Sequence, residues 1–212
     1  MTAPLPLPEP LPPEAFLKED AGDDALFYRP ARLVSHIDEG AAAALTRRYA
    51  AVIPPGADVL DLMSSWVSHL PPDLPLGEVT GHGMNAEELR ANPRLSRSFV
   101  QDLNRDPRLP LPDRSQDAVL CCVGVQYLQR PVEVFAEVAR VLRPGGRVVV
   151  AFSNRCFPTK AVRGWLLTDD EQHGALVAEL VRRAGRFTEP QVSLRTPPGR
   201  GDPLYAVVAA RR

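Results

Sequence analysis

Three cysteines in 212 residues, two of them adjacent at Cys121 and Cys122, cannot form a disulfide framework. Neither their number nor their spacing suits a zinc site, and no metal is expected. A basic excess is missing as well. With a formal net charge of −1, the chain has nothing to hold a polyanion, which speaks against general electrostatic binding to nucleic acid or to an anionic membrane. No apolar run approaches the roughly 20 residues that span a bilayer. The stretch 1–13 alternates proline and leucine without the positive n-region of a secretory signal. A cytoplasmic protein is therefore the expectation. What is present is the composition of a folded domain, 44% hydrophobic and 24% charged, long enough to bury one full core.

The proline-rich start makes 1–26 an expected flexible leader, since proline joins neither a helix interior nor a central strand. Leu33, Ile37, Ala41, Ala44, Leu45 and Tyr49 stand near helical spacing and predict one long helix over 31–51. The segment 27–55 then reads as a helical cap on a domain over 56–212. Beyond it, strand signals at 58–62, 78–81, 98–103, 117–125, 147–152 and 204–210 alternate with helix signals at 64–70, 86–92, 131–142 and 171–184. Nearly every residue of 117–125 is apolar, as in a strand covered on both faces. Strands separated by helices imply parallel pairing and right-handed crossovers, hence a doubly wound, Rossmann-like α/β sheet.

In such a sheet the ligand lies beyond the carboxyl ends of the strands. Those ends carry Asp61-Leu62-Met63-Ser64-Ser65-Trp66, Gly81-His82-Gly83-Met84-Asn85, Asp102-Leu103-Asn104, Cys122-Val123-Gly124-Val125-Gln126-Tyr127 and Ser153-Asn154-Arg155. Gly81-His82-Gly83 lacks the third glycine of a dinucleotide-binding turn, so a dehydrogenase is the weaker reading.

The succession from 59 to 152 resembles the class I S-adenosylmethionine-dependent methyltransferases, particularly the small-molecule type that includes the quinone-biosynthesis enzymes. VLDL at 59–62, DLNRDPRLPLPDRSQDAVLCC at 102–122 and FAEVARVLRPGGRVVVAF at 135–152 carry the likeness. It implies a mostly parallel sheet with an antiparallel last strand, S-adenosylmethionine as cofactor and S-adenosylhomocysteine as product. Position by position, it implies that Asp61 supports the turn at the methionyl amino group. Asp102 would accept from the adenine amino group, with Leu103 as apolar cover. Met63, Ser64, Trp66, Gly83, Met84, Asn85, Cys122 and Val123 fall at the other cofactor-lining positions. Two positions depart from the family pattern. The first turn has no glycine, and the ribose carboxylate expected after the second strand is replaced by Gly83, with Asn85 the nearest polar candidate. A lost charge-assisted bond of that kind is worth about 1.5–3 kcal/mol.

Methyl transfer needs donor and acceptor held at near-attack distance, and a general base is optional; no catalytic residue is assigned. Tyr28, His36, His82, Tyr127, Asn154 and Arg155 are the candidates for a small-molecule acceptor, Arg155 because its fork grips anions. Lys160 is expected to be solvated. Asp202-Pro203-Leu204-Tyr205 looks like the Asp-Pro-Pro-Tyr turn of nucleic-acid methyltransferases, but it introduces the last strand instead of ending the fourth, and reads as a turn. Two alternatives stay open: a non-catalytic binding or partner protein on the same fold, and a protein or RNA methyltransferase.

Overall fold

The computed structural model describes residues 11–196, 199 and 201–212. Seven strands form one sheet: β1 Val59–Leu62, β2 Val79–Gly83, β3 Arg97–Val100, β4 Gln116–Cys122, β5 Leu142–Phe152, β6 Gln191–Leu194 and β7 Tyr205–Ala210. Their spatial order is β3-β2-β1-β4-β5-β7-β6. The first five run parallel; β7 is antiparallel to β5, and β6 to β7. The helices are α1 Asp24–Tyr28, α2 Glu39–Val52, α3 Ala86–Ala91, α4 Pro131–Val141, α5 Arg163–Leu166 and α6 Asp170–Ala184.

Alternation along the strands builds two cores from one sheet. Leu60, Leu62, Val119, Val148 and Val150 pack with α4 and α6 on one face. Val59, Ala118, Leu120, Val149 and Ala151 pack with Ala41, Ala44, Leu45 and Tyr49 of α2 on the other. The strand order reverses beside β1, between β2 and β4, so the carboxyl ends of those strands flank the crevice where a ligand belongs.

The helix expected over 31–51 is shorter. Asp38 caps α2 by accepting from the Ala41 amide at 2.8 Å, which leaves 31–38 as non-helical chain with Leu33 and Val34 exposed. No helix forms over 64–70; Met63 and His69 adopt left-handed backbone with φ of 57° and 53°, a conformation that interrupts any helix. Strand β5 starts at Leu142, which already pairs with Gln116, and the Arg-Pro-Gly-Gly stretch is a bulge within it.

Residues 11–26 differ from the expected flexible leader, while 1–10 lie outside the described residues. A 3-10 turn at Pro13–Phe16 leads to Lys18, which bridges to Val162. The Lys18 ammonium meets Asp24 at 2.5 Å, and Lys160 meets Asp20 and Asp24 at 3.0 Å each. Lys160 is therefore buried rather than solvated, with 1% of its surface exposed. Burial works against the charge on Asp24, but hydrogen bonds from Lys18 and Lys160 outweigh it and hold the carboxyl below its ordinary range. Two lysines and two aspartates thus fasten the N-terminal segment to the loop after β5.

Candidate functional site

A cavity of about 320 Å³ opens beyond the ends of β1, β2 and β4, roofed by Tyr28, Arg32 and His36. Its floor is the turn after β1. The Met63 amide donates to His82 Nδ1 at 3.0 Å, and the Ser64 amide donates to the His82 carbonyl at 2.6 Å. With Nδ1 accepting, Nε2 carries the proton and donates to the Gln101 carbonyl at 2.9 Å. Burial pushes the imidazole pKa down to about 4, so it is neutral. His82 reaches the pocket wall, but main-chain groups occupy both its nitrogens; it is a strut between three strand ends.

The glycine-free turn has its counterpart opposite. A Cβ on Gly83 would lie 2.5 Å from the Ser64 carbonyl oxygen, and one on Gly124 would lie 2.8 Å from the Met63 Cβ. The close approach that turn glycines would allow is achieved by glycines on the facing strand ends. The missing carboxylate follows directly: the first turn fills the space its side chain would need.

Asp61 is buried beneath this turn and accepts from the Ser64 hydroxyl at 2.6 Å. Burial raises its pKa to about 6, against hydrogen bonds from Ser64 and Ser68. Asn92, which the sequence pattern did not single out, donates to the Ser65 carbonyl at 2.9 Å and to the Ser68 hydroxyl at 2.8 Å. The second residue missed is Glu88. From α3 it accepts from the Ser65 hydroxyl at 2.6 Å and from the Arg32 amide at 2.7 Å, and it lines the pocket. Its position in the acidic first turn after Asn85 gave no sign of this, because helix N-termini attract carboxylates anyway.

Asn85 lines the pocket as expected, but its side chain is committed elsewhere. It caps α3 by accepting from Glu87 and Glu88 amides and donates to the Tyr28 and Arg29 carbonyls at 3.0 Å each. Asp102 accepts from the Asn104 amide at 2.9 Å with one oxygen and lines the pocket, as do Leu103, Met84, Cys122 and Val123. Burial pushes the Cys122 thiol well above its ordinary value. Trp66 stands outside the lining and donates to the Val34 carbonyl at 3.0 Å; it ties the turn to the N-terminal segment.

On the opposite side Tyr127 accepts from the Phe157 amide at 2.9 Å, and burial pushes its phenol up to about 12. Tyr28 is raised further by the same cause. His36 and His69 both line the pocket, and burial lowers both imidazoles. Arg155 lines it too, with its guanidinium paired to Asp202 at 2.8 Å. Asn154 is exposed and does not. Asp202 also exchanges hydrogen bonds with Asp38, which makes the Asp-Pro-Leu-Tyr stretch part of the fold. Among the described residues no three His, Cys, Asp or Glu side chains cluster as metal ligands, and no helix is long and apolar enough to cross a membrane.

Residues 66–150 match the family model described as "Methyltransferase domain". The chain is 35% identical over 66 residues to a malonyl-[acyl-carrier protein] O-methyltransferase of Marinomonas sp. (strain MWYL1), covering 31% of this chain and 24% of that protein. It is 41% identical over 87 residues to a demethylmenaquinone methyltransferase of Beutenbergia cavernae, covering 40% and 35%. The matched segment thus spans about a quarter to a third of these relatives' length. Among solved structures, an S-adenosylmethionine-dependent methyltransferase from Mesorhizobium loti superposes with a TM-score of 0.55 at 17% identity, covering 79% of this chain and 98% of that one. That likeness establishes the fold, and the matched segment lies on the same strands. Residues 66–150 thus resemble a methyltransferase domain, and the chain shares the fold of S-adenosylmethionine-dependent methyltransferases.

Proposed function

We propose that this protein is a cytoplasmic enzyme that transfers a methyl group from S-adenosylmethionine to a small-molecule acceptor held in the same pocket. The observation that carries the reading is the cavity at the strand-order reversal, with the Asp102 carboxylate on its wall and one oxygen not taken by the protein. The donor set suits the cofactor. Its sulfonium and ammonium are cationic, and Asp61, Glu88 and Asp102 place three carboxyl groups around the cavity besides the lysine-paired Asp24. Asp102 and Leu103 would hold the adenine end, and Asp61 with Ser64 the methionyl end. Glu88 would take the ribose hydroxyls from α3 in place of a carboxylate at 83, since each of its oxygens keeps a lone pair beyond its single protein partner.

When bound, S-adenosylmethionine supplies an activated methyl group. The chain's own task is positioning and proton handling. His36 and His69 are neutral imidazoles on the pocket wall, each with a ring nitrogen that can accept the proton an acceptor must lose. The relatives' names point to two unlike acceptors, so the acceptor has to be argued from this chain's residues.

The second reading is a non-catalytic binding protein, favoured by the Met63 side chain standing where the family has glycine. Calorimetry separates them. S-adenosylhomocysteine is expected to bind in the micromolar range, and Asp102→Ala to weaken it about tenfold or more. Absence of binding by both donor and product sinks the enzyme reading and leaves the other.

A further inference from the structure

We infer that the acceptor half of the pocket is built for a planar aromatic carboxylic acid, with Arg32 as the residue that pairs its carboxylate; the inference rests on the methyltransferase reading above. The argument starts from charge. Of the charged groups on the wall, Asp24 is neutralised by Lys18 and Lys160 at 2.5 and 3.0 Å, and Arg155 by Asp202 at 2.8 Å. Arg155, the cation expected from the sequence to grip an anion, is therefore already spent. Arg32 is not. Its guanidinium donates to the carbonyls of Phe27 at 2.9 Å and Pro30 at 3.3 Å, and no described carboxylate lies at ion-pair distance from it. Main-chain carbonyls fix the fork without neutralising it. A pocket cation held in this way pairs a carboxylate through two parallel N–H bonds with little further loss of side-chain freedom.

The surroundings select a flat partner. The guanidinium stands 4.7 Å from the Phe27 ring centroid and 5.5 Å from that of Phe157. Phe157 also meets His36 edge-on at 5.9 Å and stacks with Tyr127 at 6.0 Å. Phe157, Tyr127, Tyr28 and His36 all face the cavity, so its acceptor side is walled by rings, which pack against another ring through offset or edge contacts. His36 lines the same wall, and burial favours its neutral ring, which has a nitrogen free to accept from a hydroxyl.

Calorimetry with 4-hydroxybenzoate as the probe tests this, in the presence and absence of S-adenosylhomocysteine, with phenol and cyclohexanecarboxylate as partners lacking the charge or the ring. The probe is expected to bind, and each control to bind about tenfold or more weakly. Arg32→Met is expected to weaken the probe about tenfold or more while leaving phenol and S-adenosylhomocysteine unchanged. Arg32→Lys, which keeps the charge and loses the fork, should lose less than the methionine variant. Equal binding of the probe to wild type and Arg32→Met overturns the inference. So does a selective loss of S-adenosylhomocysteine in Arg32→Met, which would assign the guanidinium to the donor's own carboxylate. If wild type fails to bind S-adenosylhomocysteine, the methyltransferase reading falls instead, and the titrations without it still decide whether Arg32 takes the aromatic acid.

Discussion

Gly83 separates two accounts of the missing ribose carboxylate. If the position had merely lost an acid, restoring one would strengthen cofactor binding. The geometry says the reverse, because a Cβ there would stand 2.5 Å from the Ser64 carbonyl oxygen, and the amide of the same residue is tied to the His82 carbonyl. Gly83→Asp is therefore expected to lower stability by about 1–3 kcal/mol and to abolish S-adenosylhomocysteine binding, read by urea melts and calorimetry. A stable Gly83→Asp protein with tighter binding would refute the account. Glu88→Gln provides the complement: it keeps an acceptor for the Arg32 amide but removes the charge. The expected result is about tenfold weaker S-adenosylhomocysteine binding with an unchanged melt.

At the scale of elements, the five-residue α1 and the turn before it bury little of their apolar surface: no residue of the Pro13–Phe16 turn is buried, and in α1 only Asp24 is. Their position depends on the Lys18, Asp20, Asp24 and Lys160 cluster. Lys160→Met is expected to leave Asp20 and Asp24 undercompensated and to cost about 3 kcal/mol or more. Trypsin should then cut after Arg32 much faster than in wild type. Unchanged proteolysis would show that the segment is held by other means. The same segment marks where the sequence was hardest to read. Long elements with strong periodicity, such as 117–125 and 131–142, were legible because burial on both faces or one face writes itself into the pattern. The edge strand Gln191–Leu194 is largely exposed and has no such pattern. Lys160 looked like a surface lysine because the carboxylates that bury it, Asp20 and Asp24, lie far along the chain. Asp61 and Asp102 could be found by their place after a strand. Glu88 could not, since it enters the site only because 64–70 folds as a loop that brings Ser65 under α3.

For the whole molecule, the two buried titratable groups beneath the first turn act on stability in opposite directions. His82 titrates at about 4 instead of 6.5. Between those values the unfolded chain binds a proton that the folded one refuses, so stability is lost as pH falls through this window, by about 3 kcal/mol in all. Asp61 titrates at about 6 instead of 3.8. There the folded chain binds the extra proton, so stability is gained as pH falls from about 6, by a similar amount of about 3 kcal/mol. The two slopes overlap and nearly cancel between about pH 4 and 6. Acid denaturation of the wild type should begin only below that, where Asp58, held low by the Glu78 amide and then by Arg143, and the lysine-bonded Asp24 take up protons. Thermal melts across pH are expected to give a nearly flat midpoint for the wild type over this window. Asp61→Asn should uncover the His82 slope, with a midpoint that falls on acidification. His82→Phe leaves the Met63 amide and Gln101 carbonyl unpaired and lowers stability throughout, by about 2–4 kcal/mol, yet its midpoint should rise on acidification over the same range. Three parallel curves would mean that the two groups under the turn do not titrate against each other, and that the turn is not held in the way described.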